Sequence, residues 1–119
     1  MSSPRVRIMV RYIDDAAVAA CLDTKLSDEL GIQAWGEELY SLVDNHKGRK
    51  LVVNFQNVVF MSSSALRVLI TLNNKTKAKG IALALCGINP NIMEAFKITR
   101  LDTLFTIKKT EIEAAKALK

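Results

Sequence analysis

From its N-terminal end the chain alternates short apolar runs with amphipathic stretches. Residues 5–12 mix polar and apolar positions with partial alternation, which predicts a half-exposed strand. Asp14-Asp15 is a turn signal and Ala17 to Leu22 reads as a second strand, so an opening hairpin is expected. The polar stretch from Asp23 to Gly31 has no clear period. After it Ile32, Trp35, Leu39, Leu42 and Val43 recur at spacings of three and four, one apolar stripe on a helix reaching about Asn45. His46-Lys47-Gly48 then supplies a basic residue and a glycine where a helix C-cap uses them.

Leu51-Val52-Val53-Asn54-Phe55 is short, β-branched and nearly all apolar, the pattern of a strand covered on both faces. A second apolar cluster, Val58 to Met61, leads into Ser62-Ser63-Ser64 and a helix over about 63–77. Its apolar face is expected from Leu66, Leu69, Ile70 and Leu72, with Arg67, Asn74 and Lys75 turned away and Gly80 at its end. Phe60 and Met61 are expected in the core beneath the serine loop. Ile81 to Cys86 is a further uncharged strand. Asn89-Pro90 opens a third helix, because Asn caps the first N–H groups and Pro at the first position loses no needed donor. Ile92, Met93 and Phe96 form its inner face, and 104–107 is a last short strand. Thr110-x-x-Glu113 matches a capping box for a final helix facing inward through Ile112, Ala115 and Leu118. The order β-β-α-β-α-β-α-β-α implies a mainly parallel sheet with one antiparallel strand from the hairpin.

The 119 residues suit one domain, and half of them are apolar, enough for a compact core. No apolar run approaches the roughly 20 residues of a membrane span. Met1 to Arg5 lacks the apolar stretch of a secretory signal. Cys21 and Cys86 each sit in an apolar strand, as buried reduced thiols do, so a cytoplasmic location is expected. The net charge of +5 comes from scattered positions such as Lys47, Arg49, Lys50, Lys75, Lys77, Lys79, Lys108 and Lys109. Only 6% of residues are aromatic, so stacking platforms are lacking and a solvated basic surface is expected instead of a nucleic-acid footprint.

Catalytic chemistry finds little support. The one histidine, His46, stands at a helix end with no second His at metal spacing. Five glycines leave no phosphate-binding fingerprint, and no Ser lies in a G-x-S-x-G elbow. The neighbouring acids Asp14-Asp15, Asp28-Glu29 and Glu37-Glu38 are turn or surface pairs. The expectation is a protein that binds a partner, not an enzyme, with no cofactor and no metal.

The informative segment is Phe60-Met61-Ser62-Ser63-Ser64-Ala65-Leu66-Arg67. One serine suffices to cap the helix, which leaves two hydroxyls at the positive end of its dipole. A phosphate there would be tolerated by the fold, yet would add charge and bulk to any surface covering that end. Capping alone and a modifiable binding surface are both open on this pattern.

The chain resembles the STAS domain family, the anti-sigma factor antagonists, along nearly its full length. The resemblance rests on Arg49-Lys50-Leu51-Val52-Val53-Asn54-Phe55, on Val59-Phe60-Met61-Ser62-Ser63-Ser64-Ala65-Leu66 and on Gly80-Ile81-Ala82-Leu83. The last block is Ile88-Asn89-Pro90 followed by Phe96 to Leu101 and Leu104 to Ile107, and the order of all four makes the match specific. It implies an α/β fold with a small mixed β-sheet of four to five strands and about four helices packed mainly on one face. It also implies a single STAS domain over residues 1–119. The implied function is a regulatory switch in which the protein binds an anti-sigma factor that is also a serine kinase. The kinase phosphorylates a serine at the start of the second helix, and a phosphatase resets the switch.

In the family motif an Asp precedes the acceptor serine, which is followed by Ser-Gly-Leu-Gly. On this chain the Asp position is Ser62, the acceptor is Ser63, the next serine is Ser64, and the glycine positions are Ala65 and Arg67. The resemblance therefore makes Ser63 the phosphoacceptor, with Ser62 and Ser64 as alternatives, and Ser62, Ser63, Ser64 and Arg67 the partner-binding residues. Ser62 removes a carboxylate beside the acceptor. Arg67 adds a cation that could pair with a phosphate or select an acidic partner surface. The alternatives are an unphosphorylated STAS scaffold, or an accessory subunit of a partner such as a transport ATPase. A small-ligand or nucleotide binder using the same helix end is a third reading.

Overall fold

The computed structural model describes residues 6–46 and 48–118. The segment Met1–Arg5 and the expected cap residue Lys47 lie outside them. Strands β1 (Ile8–Ile13) and β2 (Ala16–Cys21) form the expected hairpin, joined by two residues. Asp14 adopts φ 53°, a left-handed conformation that a short hydrogen-bonding side chain tolerates. Then follow β3 (Lys25–Leu26), α1 (Glu29–Asn45), β4 (Lys50–Asn54), β5 (Phe60–Met61) and α2 (Ser63–Ala78). The chain ends with β6 (Ala82–Cys86), α3 (Pro90–Ile98), a 3₁₀ turn (Leu101–Thr103), β7 (Thr106–Lys108) and α4 (Glu111–Ala117).

The main sheet has the order β1-β2-β4-β6-β7, antiparallel at β1–β2 and parallel elsewhere. Helices α1, α2 and α3 cover one face. Trp35, Leu39 and Val43 of α1, Leu66, Leu69 and Leu72 of α2, and Ile92 and Phe96 of α3 pack there against Ala19, Leu51, Val53, Leu83 and Leu85. Helix α4 covers the other face with Ala114 and Leu118 against Val18, Val52, Ala84 and Cys86. A strand roofed on both sides has no solvent face, which is why β4 reads as an unbroken apolar run. The expected mixed α/β sheet with its helices mainly on one face is what the structure contains.

Both cysteines are buried and free. Burial pushes the Cys21 thiol up to about 12, against a smaller opposing effect of the Trp35 indole N–H that donates to its Sγ at 3.4 Å. Burial likewise raises Cys86 to about 11. Neither thiol carries the thiolate character that reactivity requires.

Several local expectations shift. Helix α1 begins earlier than its apolar stripe, at Glu29, because the Asp28 carboxylate accepts from the Gly31 N–H at 2.8 Å and caps it. Its C-cap is His46 in an extended conformation. Of Phe60 and Met61, both expected in the core, only Met61 is there. Within the Val58–Met61 cluster only these two are strand, paired in parallel with Lys25 and Leu26, and Phe60 is 49% exposed while Met61 is buried. Ile70 is 38% exposed, so the inner face of α2 runs through Ala65, Leu66, Leu69, Leu72, Asn73 and Thr76. In α4 the inward residues are Ala114 and Leu118, and Ile112 is 57% exposed. The Thr110 cap is as expected, its hydroxyl accepting from the Glu113 N–H at 3.1 Å.

Candidate functional site

The three serines have three different situations. Ser62 is the N-cap of α2: its Oγ accepts from the Ala65 N–H at 3.4 Å and its carbonyl from the Leu66 N–H at 3.2 Å. Its own N–H donates to the Leu26 carbonyl at 2.9 Å, tying the cap to the β3–β5 ribbon. Ser64, half-buried, donates from its hydroxyl to the Glu29 carboxylate at 3.0 Å, linking the starts of α1 and α2. Ser63 lies between them at the first helical position, exposed, and its hydroxyl has no partner among the described residues. Two of the three hydroxyls hold structure and one faces solvent. Ser62→Ala is accordingly expected to lower stability by about 1 kcal/mol through the lost cap. Ser63→Ala should leave it unchanged within about 0.5 kcal/mol. Urea denaturation of the two variants reads the difference, and equal losses would remove the distinction drawn between them.

A long hydrogen-bonded lead-in fixes this helix end. The Asn54 side chain accepts from the Gln56 N–H at 2.9 Å, and the Phe55 carbonyl accepts from the Val58 N–H at 2.9 Å. The Val59 N–H donates to the Thr24 carbonyl at 2.7 Å, and the Asn89 amide donates to the Val58 carbonyl at 3.3 Å. So held, Val59 and Phe60 are 53% and 49% exposed, separated from Ser62 only by the buried Met61. These two apolar residues belong to the candidate surface, and pattern reading missed them because an apolar dipeptide looks the same whether it faces in or out. Asn54 also donates to Glu111 at 2.7 Å, and Glu111 forms an ion pair with Arg11, so the same asparagine anchors α4 to the sheet.

Arg67 is exposed one turn into α2, on a groove of about 460 Å³ between α1 and α2. Glu29, Glu37, Tyr40 and Ser64 share that groove. The helices approach closely at Gly36, where a Cβ would lie 3.2 Å from Val68. Partial burial raises the Tyr40 phenol above its ordinary value, and the Lys75 ammonium sits 5.3 Å from its ring centroid. The structure thus brings Ser62, Ser63, Ser64 and Arg67 onto one helix end. Among the described residues no group of three or more His, Cys, Asp or Glu could hold a metal ion, and no helix is long and apolar enough to cross a membrane.

Residues 15–114 match the family model of the STAS domain. A protein of Bordetella bronchiseptica named as an anti-sigma factor antagonist, BtrV, is 27% identical over 105 residues, covering 88% of this chain and 89% of that protein. Among solved structures, an anti-sigma factor antagonist from Mycobacterium paratuberculosis superposes with a TM-score of 0.83 at 21% identity, over 99% of this chain and 98% of that one. The Bacillus cell fate determinant SpoIIAA in its phosphorylated form superposes with a TM-score of 0.68 at 17% identity, over 92% of this chain and 97% of that one.

Proposed function

The chain belongs to the STAS domain family, and from that premise we propose that it is an anti-sigma factor antagonist switched by phosphorylation of Ser63. In this reading residues 1–119 act as one cytoplasmic domain that binds an anti-sigma factor with serine kinase activity. Phosphorylation releases the partner and a phosphatase restores binding. The relationship to BtrV supports the antagonist role, and the phosphorylated state of SpoIIAA shows that this fold accommodates the modification in a relative.

The observation that carries the choice of acceptor is the unengaged Ser63 hydroxyl beside the exposed Val59–Phe60 pair. Modifying Ser62 would sacrifice the cap, and a phosphate on Ser64 would meet the Glu29 carboxylate. A phosphate on Ser63 meets neither. It sits at the positive end of a 16-residue helix, where the Ser63 and Ser64 N–H groups have no partner among the described residues. The fold therefore tolerates the charge, while an apolar partner surface seated on Val59 and Phe60 does not. Arg67, one turn on, is free to pair with that phosphate and hold it against the helix.

The test is incubation of the purified protein with anti-sigma kinases and ATP, followed by intact mass and phosphosite mapping. One phosphate on Ser63 with loss of the complex is expected, and Ser63→Asp should weaken binding by about 100-fold or more. Ser63→Ala should bind but resist modification. Tight binding without any phosphate transfer would refute the switch and favour the unphosphorylated scaffold.

A further inference from the structure

The free edge of β1 is covered only at its start, where the Glu38 carboxylate accepts from the Arg7 and Ile8 N–H groups, and is open beyond it. Exposed strand edges template pairing with another strand, and proteins blunt them with prolines, bulges or charged side chains. Strand β1 contains no proline, and its register with β2 runs without a bulge from Ile8↔Cys21 to Ile13↔Ala16. Its neighbouring charges are neutralised from within the same chain. The Arg7 guanidinium is held by both oxygens of Asp23 at 3.0 and 3.1 Å, and Arg11 is ion-paired with Glu111. Along the same stretch Val6, Met9, Val10 and Tyr12 are 61%, 62%, 37% and 65% exposed.

The direction of the backbone groups follows from one hydrogen bond. The Leu22 N–H donates to the Arg7 carbonyl at 3.0 Å while the Arg7 N–H goes to the Glu38 carboxylate at 2.8 Å, so from the Arg7 carbonyl onward the odd-numbered residues turn their main chain toward β2 and the even-numbered ones turn theirs outward. The outward Ile8 N–H is taken up by the Glu38 carboxylate at 3.2 Å. Val10 and Tyr12 have no such cover among the described residues.

We propose that β1 is a self-association surface, two copies pairing their β1 strands antiparallel about a two-fold axis through Val10. The occupant follows from self-complementarity. With the axis at Val10, Val10 faces Val10, Ile8 faces Tyr12 and Met9 faces Arg11, so no like charges meet. An axis at Arg11 would set two guanidinium groups opposite each other. The arrangement is isologous and closes at two copies, joining two five-stranded sheets into one. A single strand edge with its flanking side chains is smaller than the about 1,200 Å² of stable complexes, so the dimer is weak and depends on concentration. None of these residues belongs to the Ser63 surface, so self-association stands or falls independently of the partner reading.

Sedimentation equilibrium from low micromolar to near-millimolar loading tests it, together with melting curves that check the fold of each variant. The wild-type mass should climb from one chain toward two, and Val10→Lys should remain a monomer with an unchanged melting temperature. Val10→Cys should form a covalent dimer under mild oxidation. Antiparallel partners lie about 5.5 Å apart at such a position, within disulfide reach, and the native thiols are buried. A wild type that stays monomeric throughout would overturn the proposal. So would a folded Val10→Lys that associates as the wild type does. Val10→Cys cross-linking no faster than Glu94→Cys, on the exposed side of α3, would do the same and decides the matter if Val10→Lys does not fold.

Discussion

Gly87→Ala is expected to lower stability by about 3 kcal/mol or more, and Gly80→Ala by only about 1 kcal/mol. Both glycines have the same left-handed backbone, φ +69° and φ +70°, so the conformational cost of a side chain is common to the two. Their surroundings differ. A Cβ on Gly80 would meet nothing within 4 Å, whereas one on Gly87 would lie 2.7 Å from the Asn54 Oδ1 and 3.0 Å from the Gln56 backbone nitrogen. Those two atoms are hydrogen-bonded to each other, so relief of the clash breaks the bond that opens the lead-in to Ser62. Paired urea titrations with unchanged m-values would give the two costs. Equal costs would mean that the Asn54 contact yields freely, and the rigidity assigned to the lead-in would then be wrong. Gly87→Ala should also weaken any complex formed through Val59 and Phe60, although it lies outside that surface.

Trp35→Ala should destabilise the protein by about 3–5 kcal/mol. Trp35 is fully buried, packs edge-on against Phe55 with centroids 6.3 Å apart, and donates its indole N–H to Cys21. Truncation leaves a large void between α1 and the sheet and strips the thiol of its donor. Against a typical domain stability of about 5–15 kcal/mol, the variant would be close to unfolding at physiological temperature. Trp35→Phe keeps most of the volume and should lose about 1–2 kcal/mol. Thermal and urea unfolding measure both. A loss for Trp35→Ala of less than about 1 kcal/mol would show that the core collapses around the site, contrary to its close packing.

What was legible in the chain, and what was not, follows from how far each signal reaches. The Asn89-Pro90 start, the Thr110 cap and the covered strands β4 and β6 are local chemistry, and each lies where its pattern predicts. Strands β3 and β5 have two residues each, too short to carry a period, and exist because Lys25–Leu26 meets Phe60–Met61 from a distant part of the chain. The exposure of Phe60 depends on that pairing, so the apolar run alone pointed it inward. Ile112 misled through register: Ala114 and Leu118, four residues apart, face Val18, Val52, Ala84 and Cys86, and Ile112, two residues before Ala114, falls on the far side of the helix. At the helix start, three serines in a row are indistinguishable as letters. Only the positions of the Ala65 N–H and the Glu29 carboxylate separate the cap, the tether and the free hydroxyl.

The order of strands across the sheet is also their order along the chain: β1, β2, β4, β6, β7. During synthesis each emerging strand can add to one already made, so no strand has to be inserted between two that are already paired. Growth proceeds from one border and halts at β7, a three-residue stub.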